Sequence, residues 1–178
     1  ENAKFLLSIG MSTLYNMSLK VLGYPGIRLV KTLGDEGLLT REFGHLNVSG
    51  YKFKDPRISI LVEALDFDYS LGRKEDAAHR YLDFMLTNID RKLENAKIEI
   101  KDQNRVKNLK SRVNDLRFKA NLVTYNFFIK TLMLCENNWD EEIFNKIKNQ
   151  YRKDIAEALE DMNNGFEDYI GYLDEVLE

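Results

Sequence analysis

An apolar stripe that steps alternately by four and three residues constrains this chain more than any other feature. Leu82, Leu86, Ile89, Leu93, Ala96 and Ile100 form its first part. Val106, Leu109, Val113, Leu116, Ala120, Val123 and Phe127 form its second. That spacing gathers every member on one face of an α-helix, whereas the two-residue period of a strand would scatter them. Between the parts lies the polar run Lys101-Asp102-Gln103-Asn104. Two arrangements fit: one long helix with a register slip, or a tight turn joining two antiparallel helices.

Other helices follow from their boundary residues. The spacing of Phe5, Ile9, Met11, Leu14, Leu19 and Leu22 predicts a helix over 3–22, stopped by Gly23 and Pro25. Ile27 to Leu33 adds one or two helical turns. Asp55 as N-cap and Pro56 at the first position open a helix that carries Ile58, Leu61, Val62 and Leu65 and ends near Gly72. The next starts around Lys74. Residues 120–135 are apolar nearly all round, so that helix is central. Asn138 with Glu141 predicts a capping box for the last helix, in which Asn163-Asn164-Gly165 is a candidate kink.

Residues 34–54 break the pattern. Gly34, Gly37, Gly44 and Gly50 fall there, and residues 45–48 and 51–54 alternate at period two around Ser49-Gly50. In that register Leu46 faces Phe53 and Val48 faces Tyr51. The expected fold is therefore all-α: a bundle of about five helices, two or more long and coiled-coil-like. It carries an irregular or β-hairpin insertion near 34–54, and residues 1–178 form one domain.

Composition narrows the function classes. The net charge is −3, which argues against nucleic acid as a partner. Charge is unevenly placed, however. Residues 101–119 hold seven Lys/Arg and two Asp, while residues 140–178 hold four Lys/Arg and twelve Asp/Glu. Arg105, Arg112 and Lys119 recur every seven residues beside the stripe, so the basic helix is expected to pack on the acidic one. One cysteine, Cys135, allows no internal disulfide and reads as a buried, inert thiol. The longest uncharged run, 5–19, is too short and polar to span a bilayer. The chain starts at Glu1 rather than Met, which is compatible with an exported or lipid-anchored mature form.

Candidate sites are few. Glu42 precedes His45 by three residues and Asp76 precedes His79 by three; on helices such pairs share a face and hold metals in some bundles. Asp66 to Ser70 has the opening spacing of a calcium loop, but Leu71 stands where its glycine belongs and Ala77 where its glutamate belongs. Leu71 to Leu86 resembles the turn and second helix of a tetratricopeptide repeat, over about one repeat, and no 34-residue period recurs elsewhere. The sequence calls for no cofactor and shows no convergent catalytic set. The leading reading is a soluble, non-enzymatic protein that binds another macromolecule through helix faces and the 34–54 insertion, with His45, Tyr51 and Phe53 as contact residues. The alternatives are a metal-binding bundle using Glu42/His45 and Asp76/His79, and a small-molecule or lipid carrier with a cavity along 120–135.

Overall fold

The computed structural model describes residues 2–18, 28–39, 52–96 and 103–177. These form seven helices: α1 (Asn2–Ser8), α2 (Leu14–Ser18), α3 (Arg28–Asp35), α4 (Pro56–Leu65), α5 (Tyr69–Ala96), α6 (Gln103–Glu136) and α7 (Glu141–Leu177). There is no β-strand among the described residues, which corrects the expected hairpin insertion. The 34–54 stretch begins with the last turn of α3. Gly37, at φ +67°, ends that turn. The Lys52 N–H donates to the Leu38 carbonyl at 2.8 Å, with no ladder among the described residues. A two-stranded ribbon has little stability of its own, and one isolated bond does not build it. The predicted turn at Ser49-Gly50, together with Glu42, His45 and Tyr51, lies outside the described residues.

The helix count rises from about five to seven because local breaks are resolved by tertiary hydrogen bonds. The helix predicted over 3–22 is interrupted at Gly10, where φ is +68°. Beyond it the Ser12 N–H leaves the helical pattern to bond the Asn121 side chain, and Thr13 Oγ1 accepts from Asn16 N to open α2. Gly72 does not end a helix. It lies buried inside α5, which starts earlier because the Asp68 carboxylate accepts from Leu71 N at 2.9 Å. The repeat-like turn at Leu71-Gly72 is thus helical. The predicted cap at Asp55 is present, with its side chain accepting from Arg57 N and Pro56 next. At α7 the cap is Asp140, not Asn138. Asp140 Oδ1 accepts from Glu142 N and Ile143 N, while Asn138 takes a left-handed turn at φ +73°.

The stripe splits into two antiparallel helices, α5 and α6. Asp90 meets Lys110, Asp83 meets Arg117, and His79 meets Asn121, in reverse order along the two helices. Helix α7 returns antiparallel to α6 and packs closely along it. The expected match of basic and acidic helices holds: Arg112 pairs with Asp168, Lys119 with Asp161, and Arg105 lies 4.2 Å from the Tyr172 ring centroid. These exposed pairs set register more than stability.

Two apolar clusters form the core. One joins Leu61, Leu65, Phe127, Phe144, Tyr151 and Ile155, with Phe67 edge-on to Phe127, Phe144 and Tyr151. The other joins Leu82, Leu86, Val113, Met162, Tyr169 and Leu173. Gly165 lies within α7 where it packs on α6, against the end of the Leu116 side chain. A Cβ there would come within 2.5 Å of Leu116 Cδ1. Replacing Gly165 with Val is expected to cost about 1–3 kcal/mol through overpacking. Urea denaturation measures this, and an unchanged midpoint would show that the contact is not limiting.

Candidate functional site

The α5–α6 interface changes character along its length. The face of α5 that carries Leu82 and Leu86 continues toward the N-terminus as His79 and Glu75, in steps of three and four. The matching face of α6 runs Val113, Arg117, Asn121 and Thr124. All of these except Arg117 are buried, so the lower half is greasy and the upper half polar. A buried polar group is costly unless paired, and here Glu75, Asn121, Thr124 and Tyr151 are paired across helices.

Glu75 is fully buried. Thr124 Oγ1 donates to its Oε1 at 2.5 Å, and the Tyr151 hydroxyl donates to its Oε2 at 3.2 Å. The two hydroxyl oxygens lie 3.2 Å apart. Burial and the neighbouring Glu75 carboxylate push the Tyr151 hydroxyl far above the usual tyrosine range, so it stays a donor. One carboxylate thereby links α5, α6 and α7.

Asn121 organises the other half. Its Oδ1 accepts from Ser12 N at 2.6 Å. That fixes the amide, so Nδ2 donates to the Arg117 carbonyl at 3.0 Å and to His79 Nδ1 at 3.3 Å. His79 is therefore neutral with its proton on Nε2. Its pKa is lowered to about 4 by burial and by the Arg117 guanidinium, against the opposing pull of Asp76. Arg117 bonds Asp83 through Nη1 at 2.7 Å. His79 Nε2, Arg117 Nε and Ser12 Oγ have no hydrogen-bond partner among the described residues.

The sequence-predicted sites fare unevenly. His45, Tyr51 and Glu42 lie outside the described residues, and Phe53 is half-buried beside the Lys52–Leu38 contact. Asp76 and His79 do share one face of α5, where Asp76 and His79 Nδ1 are engaged and His79 Nε2 is not. Asp76 accepts from Asn16 and from Arg80, and His79 Nδ1 accepts from Asn121. No group of three or more His, Cys, Asp or Glu among the described residues is placed to hold a metal. Residues 120–135 pack into the core, and the crevice beside them is about 120 Å³, too small for a lipid. Cys135 is buried and its thiol is pushed up by burial, as an inert thiol should be. No described helix is long and apolar enough to cross a membrane.

Sequence reasoning missed Glu75, Asn121, Thr124 and Tyr151. The available signal was Thr124 and Asn121 inside the apolar 120–135 run, one turn from Ala120 and Phe127. A general acid or base must reach its substrate. Glu75, with no exposed surface, ties α5 to Thr124 on α6 and Tyr151 on α7, so the cluster locks three helices together. No protein-family model, curated protein or solved structure matches this chain.

Two outcomes follow. Thr124→Val leaves the buried Glu75 carboxylate short of a donor and is expected to cost about 1–3 kcal/mol in chemical denaturation. His79 is neutral in the folded state down to about pH 4 and takes a proton near pH 6.5 when unfolded. Its contribution is therefore whole above pH 6.5 and declines as pH falls toward 4. The loss is on the order of 3 kcal/mol. In His79→Gln that part of the pH–stability slope should vanish; an identical slope would assign the acid sensitivity elsewhere.

Proposed function

We propose that this chain is a protein-interaction module that docks an amphipathic, basic helix of a partner protein in the groove between α5 and α7. Glu75, Thr124 and Tyr151 are buried, so this reading looks to the outer surfaces. While α6 and α7 pack closely, α5 and α7 touch sparingly and leave a groove of about 500 Å³. Tyr81, Leu82 and Met85 form one wall, and Phe166, Ile170 and Gly171 the other. Tyr81 lies edge-on to Phe166 and is still 59% exposed. Neighbouring Phe84 is 63% exposed. Exposed aromatics at an apolar groove are the usual anchors of an interface. The α7 wall runs from Asn163 to Asp174, about 16 Å at 1.5 Å per residue, enough for three helical turns.

The observation that carries the reading is Gly171. A Cβ added there would meet nothing within 4 Å, so no internal contact requires glycine, unlike at Gly165. Glycine inside a helix costs about 1 kcal/mol against alanine. Its absence of a side chain lowers the α7 wall of the groove and lets another backbone approach. Charge names the partner's flank. Glu160, Glu167 and Asp174 recur every seven residues along α7, and Glu167 and Asp174 line the groove. A helix with apolar anchors and basic edges complements that rim. The expected role of 34–54, with His45, Tyr51 and Phe53, belongs to the same interaction reading. Its support is composition alone.

The test uses a fluorescein-labelled leucine–lysine peptide patterned as a one-faced helix, with its leucine–glutamate counterpart as control. Fluorescence anisotropy should show binding of the lysine peptide, weakened by salt, and none of the control. Gly171→Leu fills the groove while improving helix propensity. It is expected to gain up to about 1 kcal/mol of stability yet lose binding at least about tenfold. Tyr81→Glu should also lose binding. Undiminished binding by both variants would overturn the proposal. So would self-association of the wild-type chain that Gly171→Leu abolishes, since the groove would then belong to a second copy.

A further inference from the structure

The two N-terminal helices are anchored to the α5–α6 pair by polar bonds as well as by packing. Helix α1 lies on α6, and α2 lies on α5 and α4. In the link between α1 and α2, Ser12 and Thr13 are buried. The Ser12 N–H donates to Asn121 Oδ1 at 2.6 Å, and Asn16 Nδ2 donates to Asp76 Oδ1 at 3.2 Å. The bond at Ser12 allows one orientation of the Asn121 amide, because only its oxygen accepts. In that orientation Nδ2 faces the Arg117 carbonyl at 3.0 Å and His79 Nδ1 at 3.3 Å. His79 must therefore offer a lone pair.

A second proton on the imidazole removes that lone pair. The Nδ1–H of His79 and the Nδ2 hydrogens of Asn121 then stand donor against donor. Turning the amide over gives His79 an acceptor, but it sets Nδ2 against the Ser12 N–H and Oδ1 against the Arg117 carbonyl. Either the bond at His79 or the bond at Ser12 is lost. The added charge is also poorly received. Arg117 on α6 and Asp76, Arg80 and Asp83 on α5 line the cavity beside the ring, which has a volume of about 220 Å³. Asp76 already accepts from Asn16 and Arg80, and Asp83 from Arg117. Ile9, Gly10, Met11, Thr13 and Asn16 line the cavity from the N-terminal side, and none of them titrates. At the ring, burial and Arg117 together outweigh the attraction of Asp76.

We propose that protonation of His79 releases the Ser12 anchor, so that α1 and α2 form an acid-opened cover over the α5–α6 pair. Release resolves the conflict, since the amide can turn to accept from Nδ1–H once Ser12 has left. The sign follows from the two states. Under the closed cover His79 stays neutral down to about pH 4. Exposed to water, a histidine titrates near about pH 6.5. Opening takes up a proton between these values and is favoured as pH falls. The α5–α7 groove plays no part in this inference.

Amide hydrogen exchange at about pH 7.5 and about pH 5, corrected for intrinsic rates, tests it. The opening constant at Ser12 should rise roughly thirtyfold over that interval. It should remain at least about tenfold above that of the α6–α7 amides, as a local opening requires. In His79→Gln, whose side-chain carbonyl can still accept from Asn121, the rise should vanish. Linkage is reciprocal, so loosening the anchor must ease protonation. Ser12→Pro lacks the N–H, and NMR titration of its His79 ring should show a midpoint raised by at least about one pH unit. A Ser12 opening constant that ignores pH, or rises equally in His79→Gln, would overturn the proposal. So would Ser12 protection equal to that of the α6–α7 amides at both pH values, or an unmoved His79 midpoint in Ser12→Pro.

Discussion

The side-chain amide of Asn121 makes three hydrogen bonds, each to a different part of the chain. It accepts from Ser12 N on the α1–α2 link, donates to His79 on α5, and donates to the Arg117 carbonyl on its own helix. Remove it and three buried partners lose a bond together, each loss worth roughly 1–3 kcal/mol. The α5–α6 pair needs such a device because its backbones stand apart over this stretch and long polar side chains fill the gap. Glu75, Thr124 and Tyr151 repeat the arrangement one turn further on and bring in α7.

That spacing has a geometric consequence on the outside. A helix pair drawn together by a glycine, as α6 and α7 are at Gly165, presents a continuous ridge. A pair bridged by large side chains leaves its flanks open. Two clefts run along α5, one toward α7, against which it packs sparsely, and one toward α2. Their chemistry differs because their linings differ: Tyr81 and Met85 line the cleft toward α7, Arg73 and Lys74 the one toward α2.

Much of this was legible in the residues. The alternating stripe specified the helical faces of α5 and α6 without deciding between one helix and two, Asp55-Pro56 specified the start of α4, and the seven-residue recurrence of Arg112 and Lys119 specified α7 as their partner. What failed did so for identifiable reasons. Gly72 reads as a stop, yet a penalty of about 1 kcal/mol is small beside tertiary packing, and the helix passes through. Gly10 looks like any interior residue of an amphipathic run, because the bond that breaks the helix goes to a side chain more than a hundred residues away. The polar cluster was hidden for the same reason. Thr124 and Tyr151 sit at positions that periodicity assigns to an apolar core, and only the arrival of Glu75 from α5 gives their hydroxyls an acceptor.

The donors left over beneath the α1–α2 link carry a further meaning. Among the described residues, His79 Nε2 and Arg117 Nε have no acceptor, beneath a segment that turns at Gly10. Lifting residues 9–13 would wet both at once, so part of the cost of exposing Ser12 and Thr13 is returned as hydration. The link is consequently held less tightly than its burial alone suggests. In hydrogen-exchange terms, the amide of Ser12 should report a local opening well below the global unfolding free energy, while those of the α6–α7 pair report the whole of it.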